Sequence, residues 1–329
     1  MNARHLRILH MVAESYIETA HPVASQHIAQ QLDVSSATVR NDFGSLEDDG
    51  LLHQPHTSAG RIPTAEGFRF YASKYLPPRR LPKRARDDVA RHLAGADGDD
   101  VFQVASRLAA QLSGYAVLVR LPADQRLRVL EIHLSLLSSR RLLAVVVLEN
   151  GLVRQLGVDL DPAPDGDVID DAERNIRQLA LNVGEVPQAL RSLAANTEAN
   201  LRRTLLAVAD AWSGLRTPRL FRDGLTRLLA EPEGQDPTFV RLVVEHVEQP
   251  PQLTEELEGT HNVELDDRVA RISAAFGFGA ARGTLTLIGP ARMRYPLALS
   301  VANEFGIALD SSSHTARSAD DLGTAAAPS

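Results

Sequence analysis

The chain has 329 residues, contains no cysteine and carries a net charge of −7. Its length accommodates two or three domains, and the lack of cysteine excludes disulfide bonds and thiolate chemistry. No apolar run approaches the roughly 20 residues of a membrane-spanning helix, and the charged N-terminus lacks a cleavage signal, so we expect a cytoplasmic protein with no membrane partner.

The charge is unevenly distributed along the chain. Residues 1–86 have a net charge of +3 and hold six of the eleven histidines, whereas the remaining residues have a net charge of −10. An even spread of negative charge would argue against a nucleic-acid partner. A mildly basic head on an acidic body is instead typical of a DNA-binding module attached to a domain with another task.

The first three predicted helices follow a helix-turn-helix pattern. The first covers residues 4–19 and is stopped by Pro22. The second covers residues 26–32, with Ser25 as its expected cap, and a tight turn leads to a third helix capped by Ser35. Two short helices joined so closely are typical of the motif whose second helix enters the major groove.

The segment 35–48 has the features of a recognition helix. Its apolar residues Val39, Phe43 and Leu46 recur at helical spacing, which leaves short polar groups, one guanidinium and one amide for the outer face. Such groups suit the edges of base pairs in a major groove. The predicted base contacts are Arg40 and Asn41, and mixed base and phosphate contacts are expected from Ser36, Thr38 and Ser45. An ordinary amphipathic surface helix is the alternative for this segment taken alone.

A wing is predicted directly after this helix. Leu51-Leu52 and Arg61-Ile62 flank a polar tip, which indicates a strand, a turn and a strand. Such a wing can place hydroxyl groups and a cation along a phosphate backbone or a minor groove. The predicted wing contacts are Thr57, Ser58 and Arg61.

Two adjacent motifs are long enough to be specific. They are SSATVRND at residues 35–42 and GLLHQPHTSAGRIPTAEGFRFY at residues 50–71. Together they resemble the bacterial heat-inducible transcription repressor family HrcA, and the likeness continues patchily at residues 221–233 and 288–296. The resemblance implies a homodimer that binds an inverted-repeat operator upstream of chaperone genes, is released on heat stress and is assisted by the GroEL chaperonin.

The rest of the chain contains two groups of strands separated by helices. Residues 115–158 are interpreted as an antiparallel meander with a hairpin turn at Asn150-Gly151, and strand signals return after residue 260. A sheet interrupted by a helical block indicates one domain inserted into another. The resemblance implies a GAF-like domain that carries an inserted dimerisation segment.

The predicted fold class is therefore an α+β multidomain protein. An N-terminal winged helix-turn-helix is followed by a GAF-like antiparallel-sheet domain with an inserted, mostly helical dimerisation segment. The predicted boundaries are 1–76 for the winged helix, 77–86 for a basic linker, 87–159 and 236–310 for the two parts of the GAF-like domain, 160–235 for the insert and 311–329 for a disordered tail. For the linker, a solvated hinge is favoured over a phosphate-binding segment.

No pattern for catalysis, a metal or a cofactor stands out. The acidic loop 159–171 fails the calcium-loop spacing, and the glycines of residues 277–283 miss the dinucleotide fingerprint. Glu131 and His133 alternate on a predicted strand and are interpreted as surface residues. We expect no enzymatic activity, no cofactor and double-stranded DNA as the partner.

The main alternative is a ligand-gated winged-helix regulator that senses a small molecule through its GAF-like domain. A further alternative, an enzyme fused to a DNA-binding head, has no positive support in the sequence.

Overall fold

A computed structural model describes residues 2–57, 59–96, 99–149, 152–216, 218–248, 261–266, 268–278 and 281–320. Its N-terminal head is a winged helix with a hydrophobic core of its own. The head consists of α1 (Ala3–Thr19), α2 (Ser25–Leu32), α3 (Ser36–Asp48), β1 (Leu52–His53), β2 (Ile62–Pro63) and α4 (Ala65–Ser73). None of the described helices is long and apolar enough to cross a membrane.

Side-chain caps define where three of the head helices begin: Asn2 caps α1, Ser35 caps α3 and Thr64 caps α4. The Ser35 hydroxyl accepts a hydrogen bond from the Thr38 N–H at 3.0 Å, which confirms the predicted start of α3. The predicted cap at Ser25 is wrong, because α2 begins at Ser25 itself and the preceding Ala24 has no side-chain acceptor. The apolar face of α3, Val39, Phe43 and Leu46, is buried as expected.

The body is built on a five-stranded antiparallel sheet. Its order is β7-β3-β10-β9-β8, with bounds β3 (Ala116–Leu121), β7 (Arg219–Asp223), β8 (His261–Leu265), β9 (Val269–Phe278) and β10 (Ala281–Pro290). The helices of the body are α5 (Lys83–Ala94), α6 (Asp100–Ser113), α10 (Leu225–Leu228), α11 (Pro237–Glu248) and α12 (Tyr295–Asp320). Helices α6 and α12 contact this sheet and each other.

A second, three-stranded sheet lies between β3 and β7 in the chain. It has the order β4-β5-β6 and consists of β4 (Val129–Ser138), β5 (Arg141–Leu148) and β6 (Val153–Asp159). The helices α7 (Gly166–Gln178), α8 (Val186–Ala194) and α9 (Ala199–Ala211) belong to the same region, where α7 contacts β4 and α9 contacts β6. The predicted fold class of winged helix, antiparallel-sheet domain and inserted segment is confirmed, and the insert carries this sheet beside its helices.

The interpretation of residues 115–158 as one meander is wrong. Strand β3 pairs with β10 and β7, whereas β4, β5 and β6 form their own sheet. The physical reason is that β3 is central and buried on both faces, as the consecutive buried residues 116–119 show. The strands that leave the sheet of β3 therefore lie before residue 160, and β7 rejoins that sheet before residue 235. The expected turn at Asn150-Gly151 lies outside the described residues.

Residues 77–86 are not a solvated hinge. Arg80 Nε and Nη2 donate to the two carboxylate oxygens of Glu304, each at 2.8 Å, and Leu81 is buried. Glu304 is only 4% exposed, so its charge requires a hydrogen-bonded partner. Helix α5 already begins at Lys83, inside the predicted linker.

The prediction of disorder from residue 311 is wrong as far as Asp320. Helix α12 continues to that residue, and the Ser311 hydroxyl donates to the Ile307 carbonyl at 3.0 Å. Residues 307–320 contain no glycine or proline that would end a helix. Residues 321–329 lie outside the described part of the chain.

We predict that Arg80→Ala lowers the free energy of unfolding by about 1–3 kcal/mol, because it leaves the buried Glu304 carboxylate without its charged donor. Urea titration followed by circular dichroism measures this loss. Arg79→Ala removes an exposed charge of the same linker and should change stability by less than about 0.5 kcal/mol. Equal effects of the two substitutions would contradict the assignment of Arg80 as an anchor.

Candidate nucleic-acid interface

The exposed face of α3 presents two long polar side chains surrounded by small residues. Arg40 and Asn41 are exposed, and their neighbours one turn away on the helix are Ser36, Gly44 and Ser45. A Cβ atom at Gly44 would meet no protein atom within 4 Å, so this part of the face is open. The structure therefore places the predicted recognition residues Ser36, Arg40 and Asn41 on one accessible surface.

The other two predicted residues of α3 form local hydrogen bonds. The hydroxyl of Thr38 lies 2.7 Å from the Ser35 hydroxyl, and the Ser45 hydroxyl donates to the Asn41 carbonyl at 3.3 Å. Both are half-buried. They lie beside the open face rather than at its centre.

The arginines near this surface differ in whether their guanidinium groups form ion pairs. Arg40 has no ion-pair partner among the described residues, whereas Arg4 Nη2 lies 2.5 Å from the Asp42 carboxylate of α3. His5 Nε2 also approaches Asp42, at 3.5 Å. These contacts hold α3 against α1 and place the Arg4 guanidinium and the His5 imidazole beside the Asp42 carboxylate. Arg4 and Asp42 therefore fix the position of α3 on α1, a role that the sequence pattern did not indicate.

A side chain to which the sequence pattern assigns no role, Gln54, organises the wing tip. The amide nitrogen of Gln54 donates to the carbonyls of Thr57, at 2.9 Å, and Ala59, at 3.0 Å. Thr57 is exposed at the tip, in agreement with the expected accessibility. Ser58, the second predicted wing contact, lies outside the described residues. A glutamine next to a short tip is a weak signal, because polar residues there are usually solvated.

Arg61 does not project freely from the wing. Its Nη2 lies 2.9 Å from the Glu47 carboxylate of α3, and its side chain is only 19% exposed. The backbone of Arg61 also exchanges two hydrogen bonds with Val23, both at 2.9 Å. The arginine expected at phosphates therefore lies between the wing and the recognition helix.

Aromatic contacts fix the head on the body. The ring of Tyr295, the first residue of α12, lies 6.0 Å from Phe68 and 6.1 Å from Tyr71 of α4. Burial raises the pKa of both tyrosines, so their hydroxyls remain protonated. Arg69 Nη2 adds a hydrogen bond to the Leu265 carbonyl of the body at 3.0 Å. The winged-helix head therefore has a defined orientation relative to the five-stranded sheet.

No group of three or more metal-ligating side chains occurs among the residues that the structure describes. Glu131 and His133 lie 3.4 Å apart at an exposed position of β4. Glu173 and Arg177 of α7 contact the same histidine. This network lies at the surface, with His133 51% and Glu131 63% exposed, and its geometry is that of a surface polar cluster.

Comparison with known proteins assigns the family. A model of the HrcA protein C terminal domain matches residues 99–298. The chain belongs to the HrcA family. A model of the DeoR-like helix-turn-helix domain matches residues 4–64, the region of the winged-helix head. The resemblance that the two N-terminal motifs indicated is thereby confirmed.

Relatives across the HrcA family match almost the whole chain. The heat-inducible transcription repressor HrcA of Acidothermus cellulolyticus is 34% identical, with 91% of this chain and 95% of the relative covered. The repressor of the same name from Shouchella clausii is 28% identical, with coverages of 92% and 95%. A crystal structure described as a hypothetical protein at 2.2 Å resolution has a TM-score of 0.68, 23% identity and coverages of 96% and 99%. The last comparison shows a shared fold.

We predict that the head loses stability as the pH falls through about 6.5. Burial and the nearby Lys74 ammonium, whose Nζ lies 2.9 Å from Nδ1 of His10, lower the pKa of His10. The folded head therefore holds a neutral imidazole, and protonation of the unfolded chain below pH 6.5 draws the equilibrium toward unfolding. The free energy of unfolding should fall by at most about 1.4 kcal/mol per pH unit from this group.

Urea titrations at pH 7.5 and 5.5 measure this effect as the difference between the unaltered chain and His10→Gln, which keeps an acceptor for Lys74. The variant should lose less stability over that interval. Parallel losses in both proteins would contradict the assignment.

Proposed function

We propose that this chain is a heat-inducible transcription repressor that binds double-stranded DNA through α3 and the wing. The membership in the HrcA family and the helix-turn-helix match support this function. The observation that carries it is the exposed pair Arg40 and Asn41 on an open helix face, where Arg40 has no ion-pair partner within the described chain. The corresponding relatives carry the name of heat-inducible repressors.

We assign a DNA contact to each predicted contact residue of α3 and of the wing tip according to the hydrogen-bonding groups of its side chain. A guanidinium matches the two acceptors of guanine, and an amide matches the donor and acceptor of adenine, so we assign base contacts to Arg40 and Asn41. Hydroxyl groups bind base edges or phosphates, which suits Ser36, Thr38 and Ser45 on α3 and Thr57 and Ser58 on the wing. The chain acts by binding in this proposal, without catalysis, metal or cofactor, and in the cytoplasm where its DNA is.

A homodimer matches the twofold symmetry of an inverted-repeat operator. The inserted sheet offers a surface for it, which we call the outer sheet face: Leu143, Val145 and Val147 of β5, with Val153 of β6. The alternate residues of β5 are fully buried on the opposite face, and Val153 is 52% exposed. Polar residues such as Gln155 and Glu131 surround these apolar side chains. An apolar centre with a polar rim is the anatomy of a protein interface.

The sheets also suggest revised domain boundaries. We assign residues 2–76 to the head, 77–121 and 219–320 to the body, and 122–218 to the dimerisation insert. In this division the chain leaves the five-stranded sheet after β3 and returns to it at β7. Each of the two sheets then belongs to one unit.

Release on heating and assistance by the GroEL chaperonin belong to the same proposal, and the family resemblance is their support. Operator binding should decrease on mild heating and return when chaperonin and ATP are added on cooling. Spontaneous recovery of the same extent without chaperonin would contradict that part of the proposal.

Small-molecule sensing is a second candidate function. A cavity of about 370 Å³ lies beside β3, β7 and α11, and its lining combines the apolar Val117 and Val247 with the polar Arg222, Thr226 and Glu248. Mixed linings of this kind are typical of ligand sites. Titration calorimetry with a metabolite library tests it: a specific binder that changes operator affinity would favour this function.

We predict that Arg40→Ala weakens binding to the operator by at least about 10- to 100-fold, because the dimer loses a bidentate base contact of roughly 1–3 kcal/mol in each of its two half-sites. Gel-shift titration uses DNA from upstream of the organism's own chaperone genes, with unrelated DNA as the reference. The variant should remain a dimer in light scattering. Unchanged operator affinity would remove Arg40 from the reading surface.

We predict that Val145→Asp shifts the dimer toward monomer, because it places a charge at the centre of the outer sheet face. Analytical ultracentrifugation measures the change, and operator affinity should fall with it. The control is Leu206→Asp, an equal change at an exposed position of α9. Dissociation by both variants, or by neither, would exclude this face as the interface.

A further inference from the structure

Three segments of the head meet at the side chain and backbone of Arg61. The residue directly precedes β2 of the wing, and its guanidinium Nη2 lies 2.9 Å from Oε2 of Glu47 in the last turn of α3. Its N–H donates to the Val23 carbonyl, and the Val23 N–H donates to the Arg61 carbonyl, both at 2.9 Å. The wing, the recognition helix and the connection between α1 and α2 are thereby joined.

This junction is closely packed. The Arg61 side chain is 19% exposed and that of Glu47 is 28% exposed, and the Arg61 Nε is buried with no hydrogen-bond partner in the described structure. A Cβ atom on Gly60 would lie 2.2 Å from the Val23 carbonyl oxygen, so glycine alone allows the wing backbone this close. The guanidinium is held between two elements and does not extend toward solvent.

Hydrogen bonds within the head also determine the conformation of the wing tip. The two hydrogen bonds of Gln54 draw the Thr57 and Ala59 carbonyls inward, and the Ala59 N–H donates to the His56 carbonyl at 2.8 Å. These inward bonds leave the exposed Thr57 on the outside of the tip. The tip conformation therefore requires no contact with DNA.

We propose that Arg61, Glu47 and Gln54 are positioning residues that hold the wing and α3 as one preformed DNA-binding unit. This inference rests on the proposed function and changes the role of Arg61, which acts through Glu47 instead of binding a phosphate. Preformed geometry raises affinity because the wing loses little conformational freedom on binding. Pairing with Arg61 also neutralises an acidic side chain close to the DNA-binding surface.

The two roles for Arg61 predict opposite effects when Glu47 is removed. If Arg61 bound a phosphate, loss of Glu47 would free the guanidinium and remove a negative charge, so DNA binding would become tighter. If Arg61 positions the wing, the same loss releases the wing and weakens binding. The sign of the effect therefore decides between them.

The decisive experiment compares Glu47→Ala with Asp48→Ala in the full chain by gel-shift titration on the operator. Asp48 is the adjacent acidic residue, is exposed and has no ion-pair partner among the described residues, so its removal gives the same change in net charge. We expect binding about fivefold to tenfold weaker for Glu47→Ala, unchanged or slightly tighter binding for Asp48→Ala, and partial recovery for Glu47→Gln, which can still accept from Arg61. Hydroxyl-radical footprinting should show lost protection at the wing and retained protection at α3.

A second measurement uses Arg61→Gln and the salt dependence of binding. Loss of a cationic phosphate contact would lower the slope of log affinity against log salt by about 1 per half-site, or about 2 for the dimer. A positioning role leaves the slope unchanged and lowers affinity at every salt concentration. Melting by circular dichroism checks that each variant is folded, and Gln54→Ala provides an independent variant with the same expected footprint.

The outcomes also separate this inference from the proposed function. Tighter binding by Glu47→Ala, or a slope lowered by about 2 for the Arg61→Gln dimer, overturns the positioning role while operator binding by the unaltered chain stands. Failure of the unaltered chain to prefer its operator over unrelated DNA overturns the proposed function itself.

Discussion

The arrangement of the whole molecule depends on how the head is attached to the body. Tyr295 is completely buried between the sheet domain and the rings of Phe68 and Tyr71. Nearby, Arg292 pairs with Glu231 at 2.9 Å and with Glu233 at 2.6 Å, and donates to the Ile17 carbonyl at the end of α1. An apolar contact with a charged clamp beside it gives the head one orientation, which a flexible tether could not provide.

A fixed orientation of the head connects dimerisation with DNA recognition in our proposal. If two copies associate through the outer sheet face, the distance and angle between the two α3 helices follow from the rigid path through insert, body and head. Half-site spacing then becomes a property of the protein. Loosening any part of that path, by heat or by a ligand, would release the operator without unfolding the head. In our proposal, the ion pair between Arg61 and Glu47 also holds the wing against α3 before DNA binds.

The sequence predicted the parts of the molecule whose causes are local. The cap at Ser35 and the spacing of Val39, Phe43 and Leu46 lie within one helix, so the recognition helix could be inferred directly. The strand at β3 was predicted, but its sheet could not be assigned, because the paired residues of its partner β10 lie 164 to 172 positions later in the chain. A strand buried on both faces also has no alternating pattern that would show its partners. The pairs Arg80 with Glu304 and Arg61 with Glu47 were missed for the same reason: a cation beside prolines or polar residues looks solvent-exposed until its partner is known.

A head that is rigidly attached to the body makes half-site spacing a property of the protein, and a series of operators with altered spacing measures this property. Affinity of the full chain is measured for operators whose half-sites are moved apart by 1, 5 and 10 base pairs. With rigidly attached heads, affinity should fall more than about tenfold at 5 base pairs, where the half-sites face opposite sides of the duplex. Tyr295→Ala should reduce that penalty. Equal affinity of the unaltered chain at every spacing would show that the heads are flexibly attached and would contradict the account.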